Sequence, residues 1–123
     1  MRILIIEDEL LIAMALADEL ADAGHEVVGI ASTFAAAVDL AERERPYIAI
    51  ADVRLAQGCD GIDLAIHLRE RFGIRSLIAS GSIDNAAMER GRRADPLGWI
   101  AKPYCPARML AALATASVAG GAA

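Results

Sequence analysis

The sequence predicts an α/β domain, a five-stranded parallel sheet doubly wound with helices on both faces, and three observations predict it. Short, branched apolar runs alternate strictly with longer amphipathic segments, five times along the chain. Five βα units in that order form a parallel sheet joined by right-handed crossovers. Polar residues able to do chemistry stand where the apolar runs end, at Glu7 and Asp8, Asp52, Ser80 and Lys102, and in open parallel sheets ligands bind outside the carboxyl ends of the strands. The third observation is alanine, 27 of 123 residues, which lets helices pack closely on something flat.

Each element follows from local pattern. Arg2 to Ile6 is a branched run that stops at acids, as a buried parallel strand does. Leu10 to Ala23 carries Ile12, Leu16 and Leu20 at helical spacing, broadened by Ala13 and Ala17, with Gly24 placed to end it. Asp8 and Glu9 are also placed to cap that helix in part, at the positive end of its dipole. Val27 to Ile30 is the second strand, and Ser32 is placed to cap a helix holding Phe34, Val38 and Ala41 as far as about Glu44, before Pro46. Tyr47 to Ala51 is the third apolar run and ends at Asp52. A polar, glycine-containing loop then runs through Gly61 into a helix with Ile62, Ala65 and Ile66 on one face. Ile74 to Ala79 leads to Ser80-Gly81. The helix expected next, around Asp84 to Arg92, is polar, interrupted by Gly91 and crowded by Arg90, Arg92 and Arg93. With apolar anchoring limited to Met88 and a few alanines, it is expected to be short or mobile. Gly98 to Ala101 makes a short fifth strand ending at Lys102, and Pro106 opens a last helix with Met109, Leu110 and Leu113 inward. Residues 1–118 are expected as one domain, with 119–123 a flexible tail.

Composition removes several function classes. A chain of this length buries a core without disulfides or a structural metal, and 56% hydrophobic residues exclude disorder. A net charge of −5 argues against direct nucleic-acid binding, which calls for a basic face. Cys59 and Cys105 are too few and too isolated for a disulfide framework or a zinc site, and they fit a reducing compartment. The run Ile3 to Ile6 is too short for a signal peptide and no stretch approaches spanning length, so a cytoplasmic protein without a membrane partner is expected. His25 and His67 have no cysteine or carboxylate at ligand spacing and are given no role.

The residues at the strand ends suit one kind of chemistry. Lys102 is the chain's single lysine against eleven arginines, and a compact ammonium is what a point contact to a phosphate or carboxylate oxygen requires; the plainer alternative is a lysine that simply caps a strand. Three carboxylates converging on one rim repel one another, and an all-oxygen set of that kind favours a hard cation, Mg²⁺. With Asp52 as nucleophile, an aspartyl phosphate can form, Mg²⁺ and Lys102 neutralising the phosphoryl oxygens while Ser80 donates a hydroxyl hydrogen bond. Gly81 leaves the approach open. A conventional enzyme is disfavoured, because neither a glycine-rich nucleotide loop nor a nucleophile–histidine pair is visible.

Four stretches taken in order resemble the receiver domain of bacterial two-component response regulators: Ile3 to Glu9, Ile48 to Leu55 with Asp60-Gly61 beyond, Ile78 to Gly81, and Trp99 to Tyr104. The resemblance implies the flavodoxin-like (βα)5 fold. It implies Asp52 as acceptor of a phosphoryl group from a sensor histidine kinase or a histidine phosphotransfer protein. Asp8, Asp52 and the backbone carbonyl of Arg54 are then Mg²⁺ ligands, with Glu7 acting more remotely, and Ser80 and Lys102 contact the phosphoryl oxygens. Trp99 occupies the aromatic switch position coupled to Ser80, shifting a population between two surfaces read by a downstream protein target; a packed strand aromatic is the alternative. Arg54 and Ser82 flank the site and are expected to tune hydrolysis. Dimerisation through the fourth helix, fifth strand and fifth helix is a further possibility of the family. Three departures stand out: Glu7-Asp8 replaces the commoner Asp-Asp, Ala56-Gln57-Gly58-Cys59 replaces the usual Leu-Pro in a loop one residue longer, and the fourth helix is polar and interrupted by Gly91. A stand-alone receiver, a receiver cut from a longer regulator or hybrid kinase, and an unphosphorylated binding module all remain open at this point.

Overall fold

The computed structural model describes residues 1–55 and 60–120, without the side chains of 117–120. Its strands are β1 (Arg2–Ile6), β2 (Glu26–Ala31), β3 (Ile48–Asp52), β4 (Arg75–Ser80) and β5 (Gly98–Ala101). Its helices are α1 (Leu10–Asp22), α2 (Phe34–Glu44), α3 (Gly61–Phe72), α4 (Asn85–Arg90) and α5 (Pro106–Gly120), and α4 runs on into a 3₁₀ turn at Gly91–Ala94. All strand pairs are parallel, in the order β2-β1-β3-β4-β5. After β1 the chain turns outward to β2, and after β3 it turns the other way. The connections therefore diverge between β1 and β3 and leave a crevice at their carboxyl ends.

The period of two along each strand divides the core. Ile3, Ile5, Ile48 and Ile50 face Leu16, Leu20, Met109 and Leu113 of α1 and α5. Leu4, Ile6, Ala49 and Ala51 face Ala37 and Ala41 of α2 and Leu64 and Leu68 of α3. Both faces are covered by apolar helix side chains, so the strand sequences show no polar alternation. Alanines at 49, 51, 37 and 41 let α2 and α3 lie close to the sheet.

Local signals account for most helix ends. Gly73 ends α3 in the left-handed conformation, φ 71°, and Gly24 follows α1 at φ 92°. Three readings are corrected. Thr33, one residue after Ser32, caps α2 by accepting the Ala36 amide at 3.2 Å. Glu9 occupies the cap position of α1 without a side-chain hydrogen bond; the Glu7 carboxylate accepts the Glu9 amide instead, at 3.4 Å. Met88 does not anchor α4, being 44% exposed. The short α4 is held through the turn that follows it, where Gly91 and Ala94 are buried, and Ala94 packs with Ile62, Ala65 and Ile78. The altered loop at Ala56 to Cys59 lies outside the described residues. Helix α5 continues to Gly120, and the rest of the expected tail, 121–123, also lies outside them.

Candidate functional site

Backbone hydrogen bonds extend the sheet by one residue beyond its strands and so fix the rim. The Glu7 amide donates to Ala31 O, the Val53 amide to Ala79 O and the Lys102 amide to Ser80 O, each at 2.9 Å. Glu7, Asp52, Ser80 and Lys102 therefore project from neighbouring strand ends at fixed spacing. A second constraint acts beneath Asp52. Gly61 lies so close that a Cβ there would sit 1.7 Å from the Asp52 carbonyl oxygen, and the Gly61 amide donates to Val53 O at 2.7 Å. Asp60 turns the chain into α3, its Oδ1 accepting the Ile62 amide at 2.8 Å while its Oδ2 pairs with Arg90 of α4.

These ends frame a cleft of about 660 Å³ lined by Asp8, Asp52, Arg54, Ser80, Ser82 and Lys102, among others. Asp52 is 5% exposed and Glu7 1%. Carboxylate oxygens of Glu7, Asp8 and Asp52 come within 4.8 Å of one another, with Asp8 at the exposed lip. Lys102 reaches between the two buried acids, its Nζ donating to Asp52 Oδ2 at 2.9 Å and to Glu7 Oε2 and Oε1 at 3.2 and 3.3 Å. The other Asp52 oxygen, Oδ1, accepts the Arg54 amide at 3.2 Å.

Electrostatics follow from this packing. Burial raises the Glu7 pKa, the neighbouring Asp52 charge raises it further, and Lys102 only partly restores it. Burial alone would depress Lys102, yet hydrogen bonding and charge from Asp52 and Glu7 outweigh that and push it upward. Lysine is thus held as an ammonium, and Glu7 is biased toward its protonated form.

The Ser80 hydroxyl turns to its own loop. It donates to Ser82 O at 3.0 Å and accepts the Ser82 amide at 3.1 Å. Trp99 stands apart from the acids, half-buried on β5 and paired in register with Ile78. Its ring lies over the 3₁₀ turn, where a Cβ at Gly91 would come within 2.8 Å of Cζ2. The ring also lines a cleft of about 400 Å³ with Met88, Arg92 and Pro96. One participant was missed by the reading of the sequence: the Tyr104 hydroxyl donates to Glu7 Oε2 at 3.2 Å, and the Lys102 Nζ lies 5.6 Å from the centre of its ring. The only signal for it was a phenol two residues after Lys102.

An acidic pair after the first strand, an Asp at the end of a central strand and a lysine after the last strand are residues on which the resemblance to one family rests. The family model for the response regulator receiver domain matches residues 3–114. The chain belongs to that family. It is 38% identical over 116 residues to the phyllosphere-induced regulator PhyR of Methylorubrum extorquens, covering 94% of this chain and 43% of that protein. It is 34% identical over 112 residues to the transcriptional regulatory protein PdtaR of Mycobacterium tuberculosis, covering 91% of this chain and 54% of that one. The chain thus spans about half the length of these curated relatives. A crystal structure of a mutant of the anti-anti-sigma factor PhyR from Bartonella quintana matches with a TM-score of 0.84 at 30% identity, over 99% of this chain and 50% of the other. Receiver domains act in two-component signalling, are generally not conventional enzymes, interact with histidine kinases or phosphotransfer proteins, and bind Mg²⁺ at an acidic pocket. Glu7, Asp8 and Asp52 form such an acidic cluster here. Among the described residues no helix is long and apolar enough to cross a membrane.

Proposed function

We propose that this receiver is a phosphoacceptor in which Asp52 takes a phosphoryl group from a phosphohistidine on a sensor histidine kinase or a histidine phosphotransfer protein. The observation that carries the reading is Lys102, an ammonium held 2.9 Å from the carboxylate of the buried Asp52 at the floor of an open, acid-lined cleft. An Asp52 oxygen forms the new O–P bond while the N–P bond to the donor imidazole breaks, and the imidazole keeps the electron pair and takes up a proton. Once Asp52 is an acyl phosphate its carboxylate charge is gone, and Lys102 is freed to contact the phosphoryl oxygens.

The donor set fits Mg²⁺, being all oxygen, with acids close enough to share one small cation and one of them open to water. Asp8, Asp52 and the Arg54 backbone carbonyl would hold it, with Glu7 acting more remotely. When bound, Mg²⁺ supplies neutralisation of charge building on the phosphoryl oxygens. Ser80 would rotate from the Ser82 backbone to donate to the phosphoryl group, and Trp99 would follow that movement and change the surface read by a downstream protein target. Exposed Leu10, Leu11 and Met14 beside the cleft offer the phosphodonor an apolar face.

The test is intact mass after incubation with acetyl phosphate, with and without Mg²⁺, on wild type and Asp52→Asn. A single phosphoryl adduct that needs Mg²⁺ and is lost in the variant is the expected result. No adduct under any condition would sink the reading and leave a binding module.

A further inference from the structure

The acidic pair and the residue after Lys102-Pro103 are structurally linked in this chain. Glu7 has one more methylene than the aspartate commoner at its position, so its carboxylate reaches past the rim of the sheet toward the turn that follows β5. There it meets two side chains from one short segment. Lys102 donates to both of its oxygens, and the Tyr104 hydroxyl donates to Oε2 at 3.2 Å. Among the described residues the remaining donor to the Glu7 carboxylate is its near neighbour, the Glu9 amide, on Oε1 at 3.4 Å. Tyr104 is itself half-buried, its ring packed against the cluster that includes Ile100 and Met109. Its hydroxyl is therefore fixed in place at little entropic cost. Lys102 is shared with Asp52, whereas among the described residues the phenol donates to Glu7.

We propose that Tyr104 is a positioning residue for the acidic site: its hydroxyl pins Glu7 Oε2 and so fixes the direction in which this carboxylate faces the cleft when Mg²⁺ is taken up. Without the hydroxyl, Glu7 keeps only Lys102 and the weak Glu9 contact and folds back onto the ammonium that Asp52 needs. The inference rests on the Mg²⁺ reading given above. It assigns Glu7 and Tyr104 as a matched pair, the longer acid requiring the phenol.

Calorimetric titration with Mg²⁺ alone, on the unphosphorylated chain, tests it through a double-mutant cycle. Tyr104→Phe keeps the ring and removes the donor, and about a 10-fold loss of Mg²⁺ affinity is expected, the usual effect of removing a group that orients a metal-site side chain. In the Glu7→Asp background the carboxylate no longer reaches the hydroxyl, and there Tyr104→Phe should change affinity by less than about 2-fold. Equal losses in both backgrounds, or none in either, would overturn the pairing. Wild type that binds no Mg²⁺ would overturn the Mg²⁺ reading and this inference with it, whereas wild type that binds normally while Tyr104→Phe binds equally well would overturn this inference alone. Proton NMR of metal-free wild type gives a second readout that survives misfolding of the Phe variant. A slowly exchanging Tyr104 hydroxyl proton is expected, and it should disappear in Glu7→Asp. Its absence from wild type would also overturn the proposal.

Discussion

Lys102 carries the charge balance of the cleft, because two buried carboxylates share its ammonium. Removing it as Lys102→Met leaves Glu7 and Asp52 facing each other without a cation. Breaking a buried pair from one side typically costs about 3 kcal/mol, and the sign of its pH dependence follows from the shifts. Glu7 has its folded pKa raised above 4.5, so its ionisation weakens the fold, a penalty absent at low pH that develops as pH climbs through the raised value. Lys102 has its folded pKa raised above 10.5, so its stabilisation is complete below 10.5 and fades only as pH climbs through the raised value. Loss of the lysine should therefore be felt more strongly at a pH above the raised Glu7 value than in acid below 4.5, where Glu7 escapes by taking a proton. Denaturant unfolding at the two pH values checks this, and equal losses would separate Glu7 from Lys102. The strand-end residues could be found from the sequence because each polar group ends an apolar run. Tyr104 could not, since a phenol's partner is decided by where a turn delivers it. The Ser80 hydroxyl shows the same limit: a serine chooses between a local backbone partner and a distant ligand by rotamer, which pattern does not encode.

Elements were legible where side chains declare them and illegible where a missing side chain matters. The branched runs located all five strands, and β5 was placed with its observed ends, Gly98 and Ala101. The anchoring of α4 was misjudged because Met88 looks like an anchor while Gly91 and Ala94, which have almost nothing to bury, are the residues the fold encloses. The α2 cap was placed on Ser32, one residue early, because the residue that accepts the Ala36 amide is Thr33. Glycine at 61 illustrates the same theme with a sharper consequence. Gly61→Ala would drive a methyl group into the Asp52 backbone, which has no freedom to swing aside as a side chain does. A loss of about 3 kcal/mol is expected, together with loss of the acetyl phosphate adduct as the acceptor shifts. Gly81→Ala, with nothing within 4 Å of the new carbon, is the matched control and should change stability by less than about 0.5 kcal/mol. Thermal melts of the two variants decide between close approach and mere loop flexibility.

Across the whole molecule, chemistry and recognition occupy adjoining surfaces with different tolerances. Leu11 is 82% exposed on the first turn of α1, flanked by exposed Leu10 and Met14, so a charge there disturbs no core contact. Leu11→Asp should leave stability within about 0.5 kcal/mol and leave the acetyl phosphate adduct unchanged, while slowing transfer from a phosphorylated histidine phosphotransfer protein by about 10-fold, a typical consequence of spoiling one anchor of an interface. Parallel assays with the small and the protein donor check this, and equal rates with the protein donor would remove α1 from the docking account. The cleft itself is assembled from the most distant parts of the chain, Glu7 and Lys102 lying 95 positions apart. The ammonium is delivered by β5, the edge strand beside β4 and the last of the five in chain order. A copy still emerging from synthesis, or one with that edge peeled away, holds Asp52 without its counter-charge. On the phosphoacceptor reading, competence to be charged is then a certificate of completed folding, and damaged or unfinished copies stay silent without any separate inspection.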